Sequence, residues 1–339
     1  MSQPIRFGIM GCGYIAQRHL KHIIDHPGAT AVGLYDSYAD AAQSLENEYQ
    51  VPCYTNLDDF LGSDCDIVVI CTPNGTHAEL AIKSMKAGKH VLVEKPMATS
   101  VEDAQKMVEI AKELNRFLYV VKQNRYNPPV QAVKKLIDNE SLGNLQLVSL
   151  NCFWNRNEAY YKNSNWKGSK ELDGGILYTQ FSHFIDILYY FFGDIEGVNG
   201  YIGNFGHQNL IDFEDTGSFN FKVKSGGVGN MSVSTCAYNQ NMEGSITMIG
   251  DNGTIKIGGK YLNTIDYQQT NGFDIKHLPQ SSPANNYGFY QGSMSNHDKV
   301  IDNVVEALNG QAEIMTTADD GLQVVKMIDQ FYKSAKWIS

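Results

Sequence analysis

The sequence predicts an α/β protein of two domains: a doubly wound parallel sheet, followed by an α+β region with a largely antiparallel open sheet. Three observations predict it. Apolar strand-like runs alternate with helical patterns from residue 5 to about residue 123, which implies a parallel sheet with helices on both faces. The first strand-to-helix turn carries the spaced glycines Gly11 and Gly13. Beyond a helix expected over residues 129–139, the runs become short, β-branched and aromatic. They are separated by turn residues such as Gly226-Gly227, Asp251-Asn252-Gly253 and Gly258-Gly259, and such pairs are hairpin signals. At 339 residues the chain exceeds a typical single domain. The expected division is 1–123 and 124–339, with the last helix packing back on the first domain or on the second sheet.

In the first domain, strands are expected at 6–10, 31–35, 66–71, 91–94 and 117–122, and helices at 14–26, 39–49, 77–87 and 101–114. Right-handed crossovers place the glycine turn at the carboxyl edge of this sheet, where strand order reverses. Gly11-x-Gly13-x-x-Ala16 fits the dinucleotide-binding fingerprint of a Rossmann domain, with alanine third. Gly11 permits the tight turn, Gly13 lets a pyrophosphate approach the backbone, and Ala16 lets helix and strand lie close. The N–H groups at the helix start, at Tyr14 and Ile15, then favour phosphates. Asp36 ends the second strand about twenty residues after Ala16, where an acid accepts from a ribose 2′-OH. An acid there repels a 2′-phosphate, and Ser37 and Tyr38 add no cation, so NAD is expected rather than NADP. The bland alternative is an ordinary glycine turn with a surface aspartate.

Two further loops leave the same edge: Cys71-Thr72-Pro73-Asn74 and Glu94-Lys95-Pro96. Loops at the carboxyl ends of parallel strands converge on the ligand crevice, which puts Lys95 near a nicotinamide. A surface turn is the alternative for a lone Lys-Pro.

In the second domain, strands are expected at 145–153, 197–206, 215–223, 227–238, 243–249 and 253–257. A loop is expected at 280–286, and helices at 296–309 and 318–336. The stretch 174–192 reads as one helix, apolar almost all round and therefore buried. It carries Thr179, Gln180, His183 and Asp186. Spacings of four and three put Thr179, His183 and Asp186 on one face. Asp186, one turn after His183, is placed to orient the imidazole of a general base. A core histidine satisfied by its own helix is the alternative.

The formal charge of −10 argues against a nucleic-acid partner, and an anionic substrate would need a local cluster of donors. There is no apolar run of about eighteen residues and no membrane span is expected. The N-terminus runs straight into a strand without a secretory leader. The six cysteines lack metal-type spacing and read as reduced, buried residues of a cytoplasmic protein; no metal is expected.

Five motifs stand in order: Gly11-x-Gly13-x-x-Ala16, Thr72-Pro73-Asn74-x-x-His77, Glu94-Lys95-Pro96, Trp166-Lys167, and Gly174-Gly175 followed by His183-x-x-Asp186. With them the chain resembles the Gfo/Idh/MocA oxidoreductases over nearly its whole length. The resemblance implies an N-terminal Rossmann domain, a C-terminal α/β domain whose open sheet often mediates dimers or tetramers, and hydride transfer between a sugar or cyclitol carbon and a nicotinamide. It implies Lys95 and His183 as the catalytic pair, and Pro73, Asn74, His77, Glu94 and Trp166, with Thr72 and Gln123, along the cofactor. Thr179 departs from the aspartate many members carry four residues before the histidine.

Three segments look like the bacterial nucleotide-sugar 3-dehydrogenases of surface-polysaccharide synthesis, which oxidise C3 of UDP-N-acetylglucosaminuronate. They are the 122–128 segment, Arg156-x3-Tyr160-Tyr161, and Tyr287 with the 292–297 segment. That resemblance implies tightly held NAD, with 2-oxoglutarate as a candidate oxidant to regenerate it, and a homodimer or homotetramer. Lys122, Arg125 and Arg156 would supply charge to a uronate and a diphosphate. Tyr126, Tyr160, Tyr161, Thr179 and Gln180 would line the substrate. Ser293–His297 reads either as a helix N-cap or as a phosphate site at that helix start. For the proton, neutral His183 is the better base at pH 7, with Lys95 stabilising the oxyanion; the reverse assignment stays open. Two alternatives remain: a free sugar or inositol dehydrogenase, and a non-catalytic dinucleotide-binding redox sensor.

Overall fold

The computed structural model describes residues 3–286, 288 and 290–338. The chain clusters into two compact units, Met1–Lys122 with His297–Val325, and Gln123–Asn296 with Lys326–Ser339. Residues 297–325 thus group with the first unit, whereas a division at 123 leaves them with the second.

The elements of the first unit alternate in order: β1 (Ile5–Met10), α1 (Tyr14–Asp25), β2 (Ala29–Tyr35), α2 (Ala39–Tyr49), β3 (Cys53–Tyr54), α3 (Leu57–Leu61), β4 (Ile67–Ile70), α4 (His77–Lys86), β5 (His90–Val93), α5 (Val101–Glu113) and β6 (Leu118–Val120). The strands form one parallel sheet in the order β3-β2-β1-β4-β5-β6. Strand β3 and helix α3 are too short to carry a periodic signal in the sequence. Strands buried on both faces read as continuous apolar runs, and Phe7, Ile9, Val68, Val69 and Leu92 are wholly buried here. Burying each such side chain contributes roughly 2 kcal/mol.

The register sets up the edge that matters. Met10 pairs with Tyr35 on one side and Ile70 on the other, and Ile70 pairs with Val93. Four strands therefore end level. Gly11 N donates to Tyr35 O (2.8 Å), Cys71 N to Met10 O (2.8 Å) and Glu94 N to Ile70 O (3.0 Å). Gly11, Asp36, Thr72 and Lys95 follow at one edge.

The second unit begins with α6 (Pro128–Asp138) and β7 (Leu145–Phe153), then α7 (Glu158–Lys162), α8 (Ile176–Thr179) and α9 (Ser182–Phe192). Strands β8 (Ile195–Gly203), β9 (Thr216–Val223), β10 (Val228–Ser234), β11 (Glu243–Gly250), β12 (Gly253–Gly258) and β13 (Thr264–Thr270) follow, with a hairpin of β14 (Ala284–Asn286) and β15 (Gln291–Met294). Helices α10 (His297–Leu308) and α11 (Ala318–Ser334) and strand β16 (Ala335–Trp337) complete the chain. The large sheet runs β13-β12-β11-β7-β10-β9-β8-β16. It is antiparallel except for the pairs β7–β10 and β8–β16. In β9 buried and exposed residues alternate, as on a sheet with one covered face.

Several expectations are corrected. The stretch 174–192 is two helices, α8 and α9, broken at Gln180-Phe181. The last helix stops at Ser334, and Ala335–Trp337 pairs with β8. Residues 284–286 are strand rather than loop. Cys53 is half-buried and Cys236 exposed, so the cysteines are not all interior. Among the described residues no helix is long and apolar enough to cross a membrane.

Candidate active site

The cofactor half is built on the level strand ends of the first unit. Gly11 has φ +88°, and a Cβ there would stand 2.8 Å from the Cys71 carbonyl and from Thr72 N. Only glycine lets the two loops meet so closely. Gly13 is exposed, and a Cβ there would meet nothing within 4 Å. It is the N-cap of α1 and offers no side-chain cap, and the helix start at Tyr14 and Ile15 carries the positive end of the helix dipole. Ala16 is wholly buried against the sheet. Asp36 accepts from Cys12 N (2.7 Å) through Oδ2 and from Tyr38 N (2.8 Å) through Oδ1. Its carboxylate is thereby fixed beside the glycine turn with lone pairs remaining. An uncapped helix start, an open glycine and an anchored acid fit a dinucleotide.

The other two loops are braced to each other. His77, buried, places Nδ1 2.7 Å from Pro96 O and Nε2 2.9 Å from Thr72 O. Burial lowers its pKa. It therefore shapes the cofactor loops by holding their backbones. Thr76 Oγ1 donates to Pro73 O (2.7 Å), and Asn74 is buried in the same turn. The Lys95-Pro96 peptide is cis, and Lys95 is half-buried at the edge.

Glu94 is buried and turned inward. Its Oε1 lies 2.8 Å from His19 Nε2, and its Oε2 accepts from Lys95 N (3.1 Å). Burial pushes this carboxyl up, but the bond and charge of His19, helped by His297 and Lys95, hold it down at about 2. Glu94 thus ties Lys95 to α1 through the backbone. His19, which no sequence motif singles out, and His297, read in the sequence only as part of the Ser293–His297 segment, complete this cluster, with His297 pushed down to about 3 by its burial. Only their separation in sequence hides them.

A second group of expected site residues lies in the second unit. His183, near the start of α9, is buried, and its Nε2 is 3.4 Å from Ser293 Oγ. Gln123 Nε2 donates to that same hydroxyl (3.0 Å), and Gln123 Oε1 is buried without a partner among the described residues. Asn296 Nδ2 donates to Gln123 O (3.2 Å) and Asn127 Oδ1 (2.7 Å). Ser293 lies in strand β15, not at a helix cap, and serves as the link to His183. Tyr287 lies outside the described residues.

Asp186 accepts from Arg125 Nε (3.0 Å) and Nη2 (2.8 Å), both side chains being almost wholly buried. The Arg125 guanidinium also lies over the Tyr190 ring (4.6 Å). Arg125, expected on the substrate, thus pairs with Asp186 of α9. Lys122 is buried in the first unit. Tyr126 is half-buried in the turn Gln123–Tyr126.

Arg156 is different. It is buried, and its Nη1 donates to Asn155 O (2.6 Å) and Asn241 Oδ1 (3.3 Å), while its Nε finds no partner among the described residues. It lies about 5 Å from the ring centres of Trp154, Tyr160 and Tyr290. Lys167 Nζ lies 4.0 Å from the Tyr160 ring and 4.9 Å from that of Tyr290. Two cations thus share one pair of tyrosines. Lys167 is legible in the sequence only as the partner of Trp166 in a motif, and Trp166 itself is half-buried in the loop before it. Gln180 Nε2 donates to Tyr160 Oη (3.1 Å), and Gln180 Oε1 is a buried acceptor without a partner among the described residues. Tyr161 is buried edge-on against Tyr160 and His207, so it fills the interior. Thr179 Oγ1 donates to Asp173 O (3.0 Å) and Asp173 Oδ1. Where many relatives are expected to have an aspartate, this chain has a threonine lying on a buried one.

Residues 5–122 match a family model described as oxidoreductase family, NAD-binding Rossmann fold, GFO_IDH_MocA. Residues 134–337 match its companion, the C-terminal alpha/beta domain. Among solved structures, the chain is 35% identical to the WlbA dehydrogenase from Bordetella pertussis in complex with NADH and UDP-GlcNAcA. That match covers 98% of this chain and 96% of the other, with a TM-score of 0.88. An inositol 2-dehydrogenase of Rhizobium meliloti is 24% identical over 97% of this chain and 96% of its own length. An uncharacterized oxidoreductase of Streptococcus pneumoniae is 32% identical over 60% of this chain, a match that spans 55% of that relative.

Proposed function

This chain belongs to the Gfo/Idh/MocA oxidoreductase family, and from that premise we propose that it oxidises the C3 hydroxyl of a UDP-N-acetylglucosaminuronate-type nucleotide sugar. The observation that carries the reading is the pairing of Arg156 and Lys167 over Tyr160 and Tyr290. A chain with net charge −10 has gathered two cations at one aromatic wall. A uronate or diphosphate takes such donors, Arg in bidentate fashion, and the tyrosine faces suit a sugar or uracil ring. A free sugar or inositol offers no anion to match. The 35% likeness to a dehydrogenase solved with UDP-GlcNAcA supports the same choice.

NAD, when bound, supplies the hydride acceptor. Gly13, the α1 amides and Asp36 hold its pyrophosphate and ribose. His183 takes the proton of the C3 hydroxyl, with Ser293 and Gln123 fixing its Nε2 side. Lys95 hydrogen-bonds the developing oxyanion, its backbone held by Glu94. We assign the substrate's amide N–H or hydroxyl donors to Gln180 Oε1, the buried acceptor left open. The enzyme acts in surface-polysaccharide synthesis in the cytoplasm, as a homodimer or homotetramer, with 2-oxoglutarate as the acid that regenerates NAD.

Lys95→Ala and His183→Ala are each expected to lower kcat by ~10²-fold or more while NAD binding persists. Wild-type turnover in either variant removes that residue from the mechanism. Arg156→Ala is expected to raise KM for the nucleotide sugar by ~10-fold or more. If it instead leaves the nucleotide sugar untouched and free sugars are turned over equally well, the substrate belongs to the broader family.

A further inference from the structure

We infer that His207, Asp215 and Cys236 form a binding site for a divalent metal ion of the zinc class, adjoining Arg156 but built from side chains that the proposed reaction does not use. His207 Nδ1 lies 3.1 Å from Asp215 Oδ2 and 3.7 Å from Cys236 Sγ. The three donor atoms all lie within 4.8 Å of one another. In a tetrahedral zinc site with Zn–N and Zn–O of about 2.0 Å and Zn–S of about 2.3 Å, donor atoms stand roughly 3.3–3.6 Å apart. The two spacings at His207 Nδ1 differ from these by a few tenths of an ångström. Nitrogen, sulfur and carboxylate oxygen together are a donor set that suits zinc or cobalt rather than magnesium or calcium.

The surroundings agree. His207 Nε2 faces Arg156 O at 2.7 Å. A carbonyl only accepts, so Nε2 carries the hydrogen, and in a neutral ring the Nδ1 lone pair points at a carboxylate and a sulfur. A proton on Nδ1 shared with Asp215, or a metal ion held by all three atoms, satisfies this arrangement. Backbone carbonyls that fix the tautomer of a ligating histidine are the usual outer support of such sites. Asp215 has that support too: Phe205 N, Gly206 N and His207 N donate to it at 2.7–3.1 Å. Cys236 is exposed, and His207 and Cys236 line a cleft of about 350 Å³ shared with Asn155, Arg156, Thr235 and Tyr238, with Asp215 buried behind them. An ion therefore has a way in and room for water as a fourth ligand. The sequence hides this site because its ligands come from the β8–β9 connection, the approach to β9 and the end of β10.

The test uses the full chain titrated with cobalt chloride alone. The expected result is a saturable sulfur-to-cobalt charge-transfer band in the near ultraviolet, with visible bands of tetrahedral intensity, displaced by zinc and strengthened as pH rises because the ligands must lose protons. Cys236→Ser, an exposed and nearly isosteric change, is expected to abolish the charge-transfer band and weaken binding by at least ~100-fold, with its circular dichroism unchanged. His207→Gln is expected to weaken binding likewise. Absence of the band in the wild type, leaving a proton as the shared cation, overturns the proposal. So does an identical band in Cys236→Ser, which would place the metal on another cysteine.

Discussion

Asp36 and Glu214 show what single carboxylates do in this fold. Asp36 holds the glycine turn through Cys12 N, and the proposed cofactor mode gives it the ribose. Asp36→Asn keeps an acceptor for Cys12 but removes the charge, so NAD affinity is expected to fall ~10-fold and discrimination against NADP to shrink. Equal titrations of both dinucleotides into wild type and variant would contradict that role. Glu214 is buried beneath the Gly174-Gly175 turn and accepts from Ile176 N (3.0 Å) and Tyr332 Oη (2.6 Å). Burial raises its pKa to about 7, against those two hydrogen bonds. A carboxyl raised in the folded state gives stability that is complete below its unfolded value of about 4.5 and is lost as pH rises through about 7. Glu214→Gln is therefore expected to flatten the stability profile over that window, by on the order of 3 kcal/mol above pH 7. Urea unfolding at several pH values checks it, and parallel wild-type and variant profiles would refute it. At this scale the sequence shows which residues carry charge but not whom they face. Arg125 looks like an anion receptor in the sequence because its partner, Asp186, lies sixty-one positions away.

The α8–α9 region carries Thr179, Gln180 and His183, the residues expected to act in the second unit. Gly175 has φ +123°, and a Cβ there would stand 2.2 Å from Tyr332 Oη. Gly175→Ala is expected to cost about 3 kcal/mol or more, since this backbone region is essentially restricted to glycine. A variant with wild-type denaturation midpoint would show that the turn relaxes. The near-continuous apolar pattern of 174–192 hides the break at Gln180-Phe181, because a buried helix and two buried helices share one hydropathy. What the pattern does reveal is burial, and hence that Thr179, Gln180 and His183 need polar partners. Those partners, Asp173, Tyr160 and Ser293, come from other elements. Although β3 and β13 go unread, most strands of both sheets are legible to within a few residues because their alternation and turn residues are local. Strand β16 is not, since its three residues are strand only by pairing with β8.

At the scale of the whole molecule, the division of labour is legible in the amino-acid pattern itself. A parallel sheet with a glycine turn binds the dinucleotide, and a mixed sheet with buried helices supplies the rest. Family membership fixes the class of chemistry, and the Arg156–Lys167 wall argues for the substrate. The most direct test follows reduced nicotinamide by absorbance as UDP-N-acetylglucosaminuronate is added to the purified protein, without and with 2-oxoglutarate. NADH formation from the nucleotide sugar is expected, with catalytic accumulation of a product lighter by two hydrogens once the keto acid is present. NADH formation from free sugars or inositols, with none from the nucleotide sugar, would contradict the proposed substrate.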